Sequence, residues 1–140
     1  MPLFGAVSNE RLLQCHPDLV RLFREVVLLY DCQVLYLGGH RNQEQQNALY
    51  PTYSKVKWPN SKHNRWPSEA VDVAPYHQIE PHIRWDDRDG FYHFAGFVRG
   101  TAMQMGIPLV WGGNWDNDQD LDDQTFYDLA HFELPYPADE

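Results

Sequence analysis

Two histidines and two aspartates in this chain have the types and spacing that a metal-dependent hydrolase requires. His63 precedes Asp72 by nine positions, and Asp128 precedes His131 by three. Asp72 lies in an apolar run, 70–74, whose period-two alternation places it on the same face as two alanines. Because an unpaired carboxylate is costly to bury, we expect a cation or a set of strong donors beside it.

Two imidazoles and one carboxylate would suit a catalytic zinc ion. His63, Asp72 and His131 would be the three ligands, and a fourth position would remain for water. If the chain turns helically between Asp128 and His131, Asp128 lies next to that position and can act as the general base. Such spacings are not rare. The residues alone therefore leave open the alternative that these four are polar residues of the core with satisfied hydrogen bonds and no metal.

The elements that hold these residues can be predicted from caps, apolar periodicity and breaks at glycine or proline. Helices are predicted from a Ser8 cap through Cys15, from Pro17 onward, over 43–50 after an Asn42 cap, and over about 91–105 before Gly106. Strands are predicted at 33–37, 70–74 and 107–111, and the segment 126–134 closes the fold. Because these elements lack a regular βαβ alternation, the expected fold class is α+β, with a small antiparallel sheet flanked by helices.

Composition limits the classes of function. One domain, 1–140, is the natural interpretation of 140 residues, and five Trp, eight Tyr and seven Phe suggest a core or cleft lined with rings. The net charge of −9 argues against a nucleic-acid partner, because no basic stripe can displace counterions from phosphates. We expect no signal peptide and no membrane span, and the two cysteines are expected to be buried free thiols.

Three further features are open to more than one interpretation. Arg41 follows the strand at 33–37, so it either reaches into a site or is a solvated surface arginine.

The acidic segment 116–123 resembles the start of a calcium loop but has Leu121 at position six and Tyr127 at position twelve. A solvated acidic loop is therefore favoured there over a Ca2+ site. The irregular segment 76–89 is expected to form a rim or a lid.

Four motifs in order resemble one known family. They are Ser61-x-His63, the run 70–75 with sequence AVDVAP, the run 111–115 with sequence WGGNW, and the run 128–134 with sequence DLAHFEL. Together they are similar to the zinc D,D-carboxypeptidase and L-alanyl-D-glutamate endopeptidase family, in particular its single-domain phage endolysin branch. The segment 34–41, which ends at Arg41, also resembles the family's strand leading to a substrate-contacting arginine.

The resemblance implies a role for each matching residue. His63, Asp72 and His131 would bind one zinc ion, and Asp128 would be the catalytic base. Arg41 and Ser61 match positions that contact the peptide and its carboxylate in the family. The implied fold is similar to that of Hedgehog and D,D-peptidase domains, without a separate wall-binding domain.

The implied substrate is the stem peptide of peptidoglycan. Family members cut either the L-alanyl-D-glutamate bond or a terminal D-alanine, and no residue rule separates the two activities. The leading prediction is an endolysin with the first activity, acting as a monomer and held in the host cytoplasm until a separate pore former releases it. A D-alanyl-D-alanine carboxypeptidase and a non-catalytic wall-binding module are the alternatives.

Two positions depart from the family's pattern. The interval from His63 to Asp72 is two residues longer than its shortest version, through Trp66 and Pro67. A longer turn of this kind could tilt Asp72 relative to His63. Asn114 occupies a position where relatives often have aspartate.

Overall fold

Helices and short strands follow one another irregularly in the computed structural model, which describes residues 2–117 and 128–137. The helices are α1 Ala6–Leu12, α2 Pro17–Leu29, α3 Gln43–Leu49 and α4 Arg88–Met105, with a 3-10 turn at Lys62–Asn64. The strands are β1 Cys32–Val34, β2 Ala70–Pro75, β3 Val110–Trp111 and β4 His131–Glu133. The described part therefore has the predicted α+β class.

The four strands form one antiparallel sheet in the order β1-β2-β4-β3. The interior strand β2 carries Asp72, and the other interior strand, β4, begins at His131. In the β2–β4 register Asp72 lies directly opposite His131. Cross-strand partners have adjacent side chains, so strand pairing alone brings these two distant residues together.

Helices α1, α2 and α4 contribute to the core on the face of the sheet that carries the valines of β2. Pro17 begins α2, and His16 caps it by accepting a hydrogen bond from the Asp18 amide. Gly106 ends α4 with a φ of 70°, the left-handed conformation that suits glycine. The buried core is drawn from both helices and the sheet and includes Leu19, Leu22, Phe23, Val71, Val73, Phe94, Val98, Trp111 and Phe132.

Several predicted boundaries were wrong for reasons of tertiary packing. Ser8 does not cap α1, whose N-cap is Gly5; instead its hydroxyl accepts a hydrogen bond from the Val34 amide, which ties α1 to β1. The first and third predicted strands are shorter than expected because pairing covers only Cys32–Val34 and Val110–Trp111. Helix α4 begins at Arg88, three residues early, because the Asp87 carboxylate caps it.

The structure describes all of the predicted rim 76–89 but only the first two residues of the acidic segment 116–123. Tyr76 and His82 stack with ring centroids 4.9 Å apart, so part of the predicted rim 76–89 folds on itself. The acidic segment 116–123, for which a solvated loop is favoured over a Ca2+ site, lies outside the described residues from 118 onward. In the described ranges, no helix has the length and apolar character that crossing a membrane would require.

Candidate metal centre

Three side chains from three different elements converge on one point. His63 comes from the 3-10 turn, Asp72 from β2 and His131 from β4. Each offers a ligand atom, and these atoms lie within 4.8 Å of one another. Two imidazole nitrogens and one carboxylate oxygen form a donor set that is common at catalytic zinc sites.

His63 is held in the tautomer that a metal ligand needs. Its Nδ1 donates a hydrogen bond to the Gly39 carbonyl over 2.7 Å, which leaves the lone pair on Nε2. Nε2 is buried, lies 3.3 Å from Asp72 Oδ1, and has no hydrogen-bond partner among the described residues. Burial lowers the pKa of His63. Two acceptor atoms that face each other in this way leave a position suited to a cation.

Asp72 is oriented by an arginine on its far side. Arg41 Nη2 donates to Asp72 Oδ2 over 2.8 Å, while Asp72 Oδ1 faces both histidines. Burial by itself raises the pKa of Asp72, but His63 and His131 hold it well below its usual range. The carboxylate is therefore ionised, and one of its oxygens is directed towards the histidines.

His131 lies between two carboxylates. Its Nδ1 is 3.1 Å from Asp72 Oδ1, and its Nε2 is 2.8 Å from Glu133 Oε1. Burial by itself lowers the pKa of His131, but hydrogen bonds to Asp72 and Glu133 raise it to about 10. A proton and a metal ion cannot share Nδ1, so binding of a metal there releases a proton.

Glu133 links His131 to a lysine. Glu133 lies two residues beyond His131 in β4, so both side chains are on the same face of the strand. Lys62 Nζ lies 3.5 Å from Glu133 Oε2 and also donates to the Leu134 and Tyr136 carbonyls. A carboxylate that accepts from the second nitrogen of a ligating histidine fixes the orientation of the ring and raises its basicity.

Asp128 reaches the site because Gly112 has no side chain. The Asp128 amide donates to the Gly112 carbonyl over 2.8 Å, and the His131 amide donates to the Asp128 carbonyl over 3.1 Å. A Cβ at Gly112 would lie only 2.0 Å from the Asp128 carbonyl oxygen. Burial, and then the negative charge of Asp72, raise the pKa of Asp128 to about 6. A carboxylate with that pKa can accept and return a proton near neutral pH.

A tight turn supports Asp72 and Arg41 from behind. Leu37 adopts a left-handed backbone conformation, with φ of 54°, and its carbonyl accepts from Arg41 Nε over 2.7 Å. A Cβ at the next residue, Gly38, would lie 2.7 Å from the Leu35 carbonyl and 2.9 Å from the Asp72 carbonyl. A left-handed non-glycine residue is energetically costly, and such residues cluster at functional sites.

The three converging side chains open into a cleft of about 940 Å³. Arg41, Ser61 and Asp128 also line it, so every residue predicted for the site faces one space. Ser61 is mostly buried and caps the 3-10 turn by accepting from the His63 amide over 3.2 Å. The aromatic side chains that line the cleft are Tyr36, Tyr53, Trp85 and Trp115.

The longer interval between His63 and Asp72 does not separate the two residues, because it is tied down elsewhere. The Ser68 amide donates to the Gln14 carbonyl, and the Ser68 carbonyl accepts from the His16 amide. Trp66 is directed to the surface, where its ring meets His40 at 5.1 Å. The other departure, Asn114, is fully buried and does not line the cleft.

Sequence reasoning missed the residues that orient the site rather than form it. Glu133 lies inside the motif 128–134. Its position two residues after His131 in a strand places both side chains on the same face, which indicates that they can interact. The Gly39 carbonyl and the Leu37 turn left no such signal, because their roles depend on contacts between distant segments.

Comparisons with known proteins address the family and the fold. Residues 2–135 match the model of a family described as phage L-alanyl-D-glutamate peptidase. The chain is also similar to a crystal structure of the Serratia marcescens L-Ala D-Glu endopeptidase ChiX, at 29% identity and a TM-score of 0.72. That likeness covers 95% of this chain and 90% of the other, and it confirms the predicted fold. No match was found among the curated proteins.

Proposed function

Because this chain belongs to the phage L-alanyl-D-glutamate peptidase family, we propose that it hydrolyses the L-alanyl-D-glutamate bond of peptidoglycan as a zinc enzyme. Family membership makes the chain a peptidase and confirms the resemblance expected from its four motifs. Zinc dependence and the roles of individual residues are the proposed part. Residues 1–140 would act as one catalytic domain.

One observation carries the proposal of a metal site. His63 Nε2 is buried without a hydrogen-bond partner among the described residues, and it faces the ionised Asp72 and His131. If these were polar residues of the core with satisfied hydrogen bonds, which is the alternative interpretation, that nitrogen would have a hydrogen-bond partner. The donor set of two nitrogens and one oxygen favours zinc over magnesium or calcium, which prefer oxygen ligands.

The proposed ligands are His63, Asp72 and His131. A zinc ion bound to them would supply Lewis-acid polarisation of the peptide carbonyl and a more acidic water. Asp128 is proposed to take the proton from the attacking water and to pass it to the leaving amine. Its raised pKa, about 6, suits both transfers because the carboxylate is ionised at neutral pH and yet readily protonated.

Arg41 and Ser61 are proposed to contact the substrate. Two of the five N–H donors of Arg41 are engaged by Leu37 and Asp72, and its guanidinium lines the cleft. The other donors can meet a carboxylate of the stem peptide, which an arginine binds well. Ser61 accepts a hydrogen bond from the backbone, so its own hydroxyl hydrogen is available for donation to a peptide carbonyl.

The biological setting we propose is that of a phage endolysin. The enzyme would act as a monomer on the wall after a separate pore former releases it from the host cytoplasm. The family description, which names a phage peptidase, supports this setting.

Digestion of purified peptidoglycan tests the proposed bond. New amino termini are labelled after digestion and identified by mass spectrometry. New D-glutamate amino ends support the proposal, whereas free D-alanine as the product would establish the carboxypeptidase alternative. Wall binding without any new terminus would indicate a non-catalytic module. The Asp128→Asn variant, with the metal retained, is the matched negative control.

A further inference from the structure

Three aromatic side chains on the cleft are far more exposed than their size would lead one to expect. Tyr36, Tyr53 and Trp85 have exposed fractions of 78%, 82% and 63%. They come from the turn after β1, the loop after α3 and the loop before α4, and all three line the cleft that holds the candidate metal centre. Large apolar side chains left exposed around a cleft mark a binding surface.

Two of these rings rest on supporting groups. Trp85 stacks on the buried Phe91 of α4, with centroids 5.8 Å apart and an interplanar angle of 23°. The Arg11 guanidinium lies 5.7 Å from the centre of the Tyr36 ring. These contacts restrict the rings while leaving much of their surface in solvent. A restricted ring loses little conformational entropy when a ligand packs on it.

The position of the scissile bond indicates what these rings meet. In peptidoglycan, L-alanine is joined through its amino group to the lactyl group of an N-acetylated aminosugar. One extended residue spans only about 3.6 Å, so a bond cut immediately after L-alanine lies close to the sugar. An enzyme that cuts this bond must therefore accommodate the saccharide beside its active centre. This step rests on the proposed function.

We propose that Tyr36, Tyr53 and Trp85 form a saccharide subsite for the aminosugar that carries the L-alanine. The C–H groups of a pyranose ring are weakly positive and pack on the negative face of an aromatic ring. The linked sugar is neutral, because its lactyl carboxyl group is consumed in the amide bond to L-alanine. Stacking therefore provides affinity that the chain's net charge of −9 does not oppose.

The test compares two substrates that share one peptide. One is acetyl-L-alanyl-γ-D-glutamyl-L-lysine, and the other is the same tripeptide joined through its amino group to the lactyl group of N-acetylmuramic acid. The intact enzyme is expected to have a higher kcat/KM for the saccharide substrate. Trp85→Ala and Tyr53→Ala are each expected to lower that value about three- to tenfold, as for the loss of one aromatic contact. Their kcat/KM for the acetylated peptide should change less than twofold.

Trp66→Ala is the matched control, because Trp66 is 69% exposed and lies outside the cleft lining. It should leave both values unchanged. Equal kcat/KM for the two substrates, or equal losses in Trp85→Ala and Trp66→Ala, would overturn the saccharide subsite while the proposed function stands. Failure to cut either substrate would overturn the proposed function, and with it the subsite. Melting temperatures of the variants, compared with the parent, show that each remains folded.

Discussion

Replacement of Gly112 by alanine tests whether the position of Asp128 depends on the missing side chain. A Cβ at this position would lie 2.0 Å from the Asp128 carbonyl oxygen, a backbone atom that cannot rotate away. Real contacts of this kind are not shorter than about 3.0 Å. The peptide at Asp128 must therefore move by about 1 Å, and a misplacement of that size at a catalytic group costs about 100-fold in rate.

The same clash has a structural cost. Overpacking a close contact typically destabilises a protein by about 1–3 kcal/mol. We therefore expect Gly112→Ala to lower kcat/KM on a stem peptide about 100-fold and to lower the melting temperature. The assays are steady-state peptide cleavage at neutral pH, metal content by mass spectrometry and thermal unfolding.

Gly100→Ala provides the matched control. Gly100 lies within α4, and a Cβ there would meet no atom within 4 Å. Because alanine is favoured over glycine in a helix interior by about 1 kcal/mol, this variant should be more stable and fully active. A Gly112→Ala variant that kept the parent kcat/KM and melting temperature would show that the position of Asp128 does not depend on this close approach.

Three other predictions concern the groups around the proposed metal. Asp128→Asn should lower kcat by about 100- to 10,000-fold while one metal ion per chain remains bound, and loss of the metal instead would assign Asp128 a ligand role. The logarithm of kcat/KM should fall with a slope of one towards low pH, because a protonated Asp128 cannot accept a proton. The midpoint of this fall should lie at or below about pH 6, since a bound cation lowers the pKa of Asp128 further. A profile that stays flat to pH 4 would exclude this base. Glu133→Gln should weaken zinc binding about 10- to 100-fold in chelator competition, because Glu133 orients the His131 ring. Glu69→Gln, which removes a carboxylate paired with Arg65, should leave zinc affinity unchanged. Equal zinc affinities in the two variants would contradict the orienting role of Glu133.

The parts of the fold that sequence could predict are those set by local chemistry. The apolar periodicity of α2, the Asn42 cap and the Gly106 terminus follow from residues close in sequence, and all three are present. The alternation around Asp72 correctly predicted that its side chain leaves the valine face. Local propensity does not determine which strands pair, so the direct pairing of Asp72 with His131 could not be derived from their spacing.

The residues that escaped sequence reasoning act across long separations. Ser8 looked like a helix cap and instead accepts from Val34, because tertiary contacts outweighed its local preference. For Arg41 the resemblance predicted a substrate contact, whereas the contact that the structure shows is a hydrogen bond to Asp72, 31 residues away. Arg41 also donates to the carbonyl of Leu37, whose backbone is left-handed. The sequence does not indicate that conformation, since leucine does not favour it.

Reconstitution with zinc tests whether His63, Asp72 and His131 hold one catalytic zinc ion. Chelator-treated protein is titrated with zinc, and the release of new D-glutamate amino ends from purified peptidoglycan is measured at each step. We expect no turnover before zinc is added, then a linear rise in rate that ends at one zinc ion per chain. His63→Ala should show neither tight zinc binding nor turnover. Full activity in the metal-free protein, or one tightly bound zinc ion in His63→Ala, would contradict the proposed zinc site.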